Sequence, residues 1–87
     1  MSSQFGKPLT SAQIRAARAL IRWRAEDLAE KSNLGVATIR RAELSDGMTA
    51  MTRANDAAVR RALEEAGIEF IDENGGGAGV RLRDRSG

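Results

Sequence analysis

The 87-residue sequence predicts a mainly α domain of four to five helices that ends in a short C-terminal β-hairpin. Three observations support this fold class. A capping box precedes apolar residues at helical spacing, two short helical segments flank a tight turn, and a glycine-rich loop separates two strand-like runs. A chain of this length buries only roughly 60% of its unfolded surface, so we expect one small core.

The first helix has the clearest start signal. Thr10 and Gln13 have the spacing of a capping box, in which each side chain accepts a hydrogen bond from the other residue's backbone N–H. Leu9 and Ile14 flank this start at the positions of a hydrophobic staple. Apolar residues then recur at helical spacing, so we expect the helix to run to about Arg22.

Two short helices are predicted next, at about 25–32 and 36–44. Asn33 lies in the turn between them, and asparagine adopts the left-handed backbone conformation that a tight turn often requires. Ile39 and Ala42 are expected to face the core from the second of these helices. Two short helices joined by a tight turn, after a longer capped helix, are typical of helix-turn-helix geometry.

A fourth helix is predicted at about 51–66, and Gly67 is expected to stop it. Its apolar stripe is expected to consist of Met51, Ala54, Ala58, Ala62, Leu63 and Ala66. Its charged residues are expected to form a solvated outer face made of Arg60, Arg61, Glu64 and Glu65.

The C-terminal part predicts the hairpin. Strand-like runs at 68–71 and 80–82 flank a glycine-rich loop. Their apolar residues are expected to share one face, which comprises Ile68, Phe70, Val80 and Leu82. Because an isolated two-stranded hairpin is marginal in water, this face needs a partner. Two interpretations stay open: the face packs on the chain's own core, or it makes a dimer contact.

Four segments follow from these elements. They are a flexible N-terminal arm at 1–9, a helix-turn-helix domain at 10–67, the hairpin as a possible dimerisation element at 68–83, and a disordered tail at 84–87. No apolar run has the length of a signal peptide or a membrane span. We therefore expect a cytoplasmic protein that makes no membrane contact.

Composition narrows the classes of function. The sequence has no cysteine and no histidine, which excludes disulfides, thiol nucleophiles, zinc fingers and imidazole bases. The glycine-rich loop lacks the lysine and the following helix of a P-loop. We predict that the protein is not an enzyme and has no catalytic residue, metal site or cofactor.

Charge is distributed unevenly along the chain. Residues 1–41 carry eight basic and three acidic side chains, whereas residues 42–87 carry six basic and nine acidic ones. Twelve of the fourteen basic residues are arginine, whose planar guanidinium makes bidentate contacts with phosphate and guanine. This asymmetry favours a nucleic-acid partner, and the alternative interpretation is a solvated arginine-rich helix face.

The stretch 18–43 resembles the phage-repressor and Xre-like class of helix-turn-helix regulators. In that class an arginine near the end of the first helix pairs with a glutamate that closes the recognition helix, and the matching residues here are Arg18 and Glu43. Further matches are the leucine–alanine pair of the second helix, the turn residue and the inward isoleucine, which correspond to Leu28, Ala29, Asn33 and Ile39. Downstream, 62–70 and 79–82 are similar to a small bacterial subset of these regulators.

The resemblance implies that the helix at about 36–44 enters the DNA major groove. The residues then expected to read bases are Val36, Ala37, Thr38 and Arg41. Those expected to hold phosphates are Arg24, Arg40 and Arg53. The implied function is a sequence-specific transcriptional regulator, most simply a dimeric repressor or autoregulator on an inverted repeat.

The implied partners are double-stranded DNA, a second copy of the chain, and RNA polymerase or another regulator. The dimer contact is left open between the last helix and the hairpin. Two departures from the class pattern support an alternative. Arg24-Ala25 stands where a serine-like cap and a glutamine are usual, and Gly35-Val36-Ala37 stands where polar readers are common. The alternative is a protein-interaction module, such as an antiactivator or antitoxin, with weak DNA binding.

Overall fold

The computed structural model describes residues 8–73 and 75–83. These residues form four helices and two strands, in the order α1 (Ser11–Ile21), α2 (Ala25–Ser32), α3 (Val36–Glu43), α4 (Arg53–Glu65), β1 (Ile68–Ile71) and β2 (Gly79–Leu82). The mainly helical class with a C-terminal hairpin is therefore confirmed. Most of the predicted arm, residues 1–7, and the whole predicted tail, 84–87, lie outside the described residues. Within the described ranges, no helix combines the length and apolarity needed to cross a bilayer.

The predicted helix ends are set by local hydrogen bonds and backbone conformation. Thr10 Oγ1 accepts the Gln13 backbone N–H at 3.0 Å and Gln13 Oε1 accepts the Thr10 backbone N–H at 3.0 Å, which confirms the capping box. Asn33 ends α2 in the left-handed region, with a φ of 63°. Arg22 ends α1 in the same region at 59°, an uncommon conformation for a residue with this side chain. These two residues turn the chain between α1, α2 and α3.

Helices α3 and α4 are each slightly shorter than predicted. Leu44 is the C-cap residue of α3 instead of its last helical residue. Helix α4 starts at Arg53, because Thr52 Oγ1 caps its first turn by accepting the Asn55 backbone N–H at 3.1 Å.

The core lies where α2 packs on α3 and α4, and where α1 packs on α3 and β2. Its buried apolar residues are Leu9, Ile14, Ala17, Ala25, Leu28, Ala29, Ile39, Ala42, Val59, Ala62, Leu63 and Ile68. Within α4 the predicted stripe is partly wrong, because Val59 is fully buried whereas Ala54 is exposed. Ala54 lies five residues before Val59, which is roughly 140° around a helix and therefore off the inner face.

Arg60 also departs from the prediction of a solvated face. Its side chain is buried, and its guanidinium carbon lies 5.1 Å from the centroid of the Phe70 ring. This is a cation–π contact between α4 and β1. The prediction is wrong here because β1 folds back over this side of α4, a contact that charge spacing along one helix does not reveal.

The segment before α1 is anchored to the domain. Leu9 is 1% exposed, its N–H donates to Asp56 Oδ2 at 2.9 Å, and its carbonyl accepts the Thr49 N–H at 3.3 Å. The predicted flexible arm at 1–9 is therefore wrong at Leu9, which belongs to the core. The physical reason is the buried Asp56 carboxylate of α4, which fixes the backbone ahead of α1.

The hairpin is antiparallel, with Ile68 opposite Leu82 and Phe70 opposite Val80, so these four residues share one face as predicted. Ile68 is fully buried, and Phe70 and Val80 pack partly against the core. These three residues therefore pack on the chain's own core, whereas Leu82 remains 37% exposed.

Candidate functional site

Helix α3 has one buried and one outward side. Its buried residues are Ile39, Ala42 and Glu43. Ala37, Arg40, Arg41 and the C-cap Leu44 are exposed, and their spacing of three and four residues places them along one side of the helix. We call these four residues the outward side of α3. It presents two guanidinium groups to the surroundings of the domain.

The four predicted base readers are not equivalent in the structure. Ala37 and Arg41 are exposed on the outward side, as direct contact requires. Thr38 is half-buried beside it. Val36 is also half-buried and packs against the core, so only part of its side chain is open to a partner.

The start of α4 lies beside the outward side of α3. A hollow of about 200 Å³ between the two is lined by Thr38, Arg41, Ala42, Ala50, Met51, Thr52 and Asn55. Arg53, one of the predicted phosphate contacts, is exposed and is the first residue of α4. Because a helix N-terminus carries a partial positive charge, Arg53 and the first turn of α4 both attract anions to this edge of α3.

An ion pair connects the start of α2 to the outward side of α3. An Arg40 guanidinium nitrogen lies 2.7 Å from Glu26 Oε2, with the two side chains 58% and 51% exposed. Arg24 is the N-cap residue of α2, and its side chain is 76% exposed with a guanidinium nitrogen 3.5 Å from Asp27 Oδ1. Both predicted phosphate contacts on this edge are thus paired with acidic side chains of α2.

Those two acids remain ionised near neutral pH. The pKa of Glu26 is lowered chiefly because its carboxylate accepts a hydrogen bond from its own backbone N–H, with Arg40 and Arg24 lowering it further. The pKa of Asp27 is lowered chiefly by the hydrogen bond from the Arg24 backbone N–H. Two carboxylates therefore offset the positive end of α2. At the start of α4 the acid is Asp56, which is buried and accepts the Leu9 N–H.

The end of α3 is held on α1 by polar contacts. The predicted ion pair is present, with Arg18 Nε 2.6 Å from Glu43 Oε2. Ser11 Oγ donates to the Ala42 carbonyl, and an Arg15 guanidinium nitrogen donates to the Glu43 carbonyl at 2.5 Å. The pKa of Arg18 is raised because its guanidinium hydrogen-bonds the Glu43 carboxylate. These contacts fix the orientation of the outward side relative to the domain.

Three features of this site are missing from the sequence prediction. Leu44 is 81% exposed and extends the outward side. The helical spacing from Ala37 to Leu44 is the signal that could have found it. The hollow shared with Thr52 and Asn55 and the Arg40–Glu26 pair depend on how helices pack, for which no local signal exists.

No protein-family model and no curated protein matches this sequence. The chemistry open to the outward side follows from its side chains. Guanidinium groups make bidentate hydrogen bonds with phosphate oxygens and with the O6 and N7 atoms of guanine. Ala37 has a small side chain, which lets the α3 backbone approach a partner closely.

Proposed function

We propose that the protein is a sequence-specific double-stranded DNA-binding regulator of transcription that inserts α3 into the major groove. The observation that carries this proposal is the position of Arg40 and Arg41 on an outward helix side between the starts of α2 and α4. The major groove of B-DNA is wide enough to admit an α-helix, and the start of α4, where the first-turn acid Asp56 is buried, would face a phosphate.

Within this proposal, α2 and α3 act as the helix-turn-helix of an Xre-like regulator. Support comes from the roles of the residues that carry the resemblance. Leu28, Ala29 and Ile39 are buried, Asn33 is left-handed, and Arg18 pairs with Glu43. These are the roles that the class pattern implies for those positions.

Each residue of the proposed DNA-binding surface has a distinct proposed contact. Arg41 is the principal base reader, because one guanidinium can bond guanine O6 and N7 together. Thr38 can make one hydrogen bond to a base edge, and Ala37 can contact a thymine methyl group. Arg53 holds a phosphate at the start of α4, whereas Arg24 and Arg40 must first loosen their contacts with Asp27 and Glu26.

We further propose a homodimer that binds an inverted repeat and represses by blocking RNA polymerase. The domain measures 32 × 29 × 23 Å. These dimensions are comparable with one turn of DNA, about 34 Å, which separates the half-sites of helix-turn-helix dimers. Two copies side by side can therefore present equivalent α3 helices to one face of the duplex.

The test is fluorescence anisotropy of the purified protein on its own upstream region and on a scrambled duplex, each across a salt series. We expect the upstream region to bind at least ~10³-fold more tightly, with affinity falling steeply as salt rises. Equal and weak binding to both duplexes would contradict the proposal.

The second candidate is a protein-interaction module. The observation in its favour is Leu44, an 81% exposed leucine on the same side of α3 as Ala37. An apolar contact next to arginines suits a protein surface with acidic residues. Leu44→Ser separates the candidates: it should leave affinity for specific DNA unchanged in the first case and abolish binding to an isolated protein partner in the second.

A further inference from the structure

The hydrogen-bond pattern of the hairpin shows which main-chain groups of β2 face outward. The Arg83 N–H donates to the Gly67 carbonyl at 2.7 Å, and the register pairs Ile68 with Leu82 and Phe70 with Val80. In an antiparallel pair, hydrogen-bonded and non-hydrogen-bonded rungs alternate. The bonded rungs are therefore those of the odd-numbered residues, and the main-chain groups of Val80 and Leu82 point away from β1.

Among the described residues, no strand other than β1 pairs with β2, so its second edge has no strand partner there. Among the residues that the structure describes, no hydrogen bond uses the main chain of Val80 or Leu82. Strand β2 packs on α1 and β1 packs on α4, with Val80 half-buried and Arg81 and Leu82 exposed. A strand edge with outward N–H and C=O groups is a template for another strand, and a two-stranded hairpin is marginal by itself.

The sequence around Val80 identifies the strand that fits this edge. The three residues before it are small and the three after it are large, in the order Gly77-Ala78-Gly79-Val80-Arg81-Leu82-Arg83. Antiparallel pairing of two such segments about Val80 places every large residue opposite a small one. Arg81 lies opposite Gly79 of the second copy, and Leu82 lies opposite its Ala78.

Charge distinguishes this register from the two that are shifted toward the C-terminus. Centring the pairing on Arg81 would place Arg81 opposite Arg81 of the second copy. Centring it on Leu82 would place Arg81 opposite Arg83. Like charges directly opposite one another destabilise a strand pair, so both alternatives are disfavoured. The Val80-centred register avoids this repulsion and lets the outward groups of Val80 bond those of its counterpart.

We propose that two copies of this chain associate through β2, antiparallel and centred on Val80, to form a continuous four-stranded sheet. This rests on the proposed function in that it supplies the dimer that an inverted repeat requires. The occupant of the edge is a second copy of the chain, because its own small-to-large pattern is self-complementary.

The first test compares Leu82→Pro with Leu82→Ala by sedimentation velocity in the absence of DNA. Proline removes the outward N–H of residue 82, and the rung with Ile68 loses nothing because it is not hydrogen-bonded. Alanine removes the side chain and keeps the N–H. We expect the parent to sediment as a dimer of the 9.4 kDa chain. Relative to Leu82→Ala, Leu82→Pro should raise the dissociation constant at least tenfold. Equal dissociation constants for the two variants would overturn the proposal.

The second test addresses the register with Gly79→Arg and Gly79→Glu. A Cβ at Gly79 meets no atom within 4 Å, so neither variant is obstructed at that atom in the monomer. In the Val80-centred register residue 79 faces Arg81 of the second copy. Gly79→Glu should therefore tighten the dimer and Gly79→Arg should weaken it. The same dissociation constant for both would overturn this register.

A third measurement needs no variant. Amide hydrogen exchange at Val80 and Leu82 should slow as the concentration of the parent protein rises, and rates that do not change would overturn the pairing even if Leu82→Pro fails to fold. Because association is measured without DNA, the two proposals fail separately. A monomer that binds its operator specifically overturns only the strand pairing, and a β2-paired dimer that ignores sequence overturns only the proposed function.

Discussion

Arg18 and Glu43 form a bidentate ion pair that joins α1 to the end of α3. Arg18 Nε lies 2.6 Å from Glu43 Oε2, and a terminal guanidinium nitrogen lies 2.7 Å from Oε1. The other terminal nitrogen donates to the Trp23 carbonyl at 2.8 Å, so the same guanidinium also secures the turn before α2. Arg18 of α1 thereby holds both the end of α3 and the turn before α2 in position.

Glu43→Gln should lower the free energy of unfolding by about 2–4 kcal/mol. Breaking a buried ion pair costs about 3–5 kcal/mol, and the Arg18 side chain, which is 22% exposed, recovers part of this through water. Urea unfolding followed by circular dichroism measures the loss. Glu26→Gln is the control, because its pair with Arg40 lies in solvent and should matter less. Equal losses in the two variants would contradict a structural role for the Arg18–Glu43 pair.

Arg41→Ala should weaken operator binding by about 1–3 kcal/mol and relax the preference at one base position. The physical reason is the loss of a bidentate contact to guanine. Anisotropy against a set of single-base operator variants measures both effects. Arg61→Ala removes the same charge from an exposed position on α4 and serves as the control. Unchanged base preference in Arg41→Ala would remove Arg41 from the reading surface.

Glu26→Gln should strengthen DNA binding. It releases Arg40 from its 2.7 Å ion pair and removes a carboxylate from the start of α2, so one more guanidinium becomes available to a phosphate. The slope of log affinity against log salt should steepen by about 0.9, the value for one additional phosphate contact. Glu65→Gln is matched in charge and lies exposed at the end of α4. If both variants strengthen binding alike, net charge and not Arg40 is responsible.

The predicted elements that the structure confirms are those with local signals. The Thr10–Gln13 capping box and the left-handed Asn33 each depend on residues three or fewer positions apart, so the sequence displays them directly. Burial of Leu9 depends instead on Asp56, which is 47 positions away. Burial of Arg60 depends on where β1 folds back. Neither contact leaves a periodic trace in the chain.

In the candidate site, too, the features with a local signal could be predicted and those that depend on helix packing could not. The exposure of Ala37 and Arg41 follows from helical spacing once Ile39 and Ala42 are assigned to the core. The ion-pair partner of Arg40 does not follow from helical spacing, because Glu26 lies on another helix and both side chains are exposed. Surface ion pairs are selected by the packing angle of two helices, which a single sequence does not encode in its spacing.

Gln13→Glu should destabilise the hairpin while it preserves the start of α1. The Gln13 Oε1 atom accepts the Thr10 N–H, and its Nε2 atom donates to the Gly79 carbonyl at 3.0 Å. Glutamate keeps the acceptor, but it places a second oxygen against that carbonyl in a buried position, at a cost of about 1–3 kcal/mol. Thr10→Ala is the control, which removes the cap at about 1 kcal/mol. Hairpin amides should exchange faster only in Gln13→Glu, and equal rates in both variants would contradict the tether.

Stability should be level between about pH 6 and 8 and should decline below about pH 4.5, because the sequence has no histidine or cysteine to titrate near neutrality. The pKa of Glu69 is lowered chiefly by its hydrogen bond with Arg81, and the pKa values of Glu26 and Asp27 are lowered chiefly by backbone N–H groups. A carboxylate with a folded pKa below its unfolded value stabilises the fold above the unfolded pKa, and this contribution is lost as pH falls through the folded pKa. Urea midpoints across a pH series measure the decline, and Glu69→Gln should reduce its steepness. A decline that begins above about pH 6 would show that other groups control the acid transition.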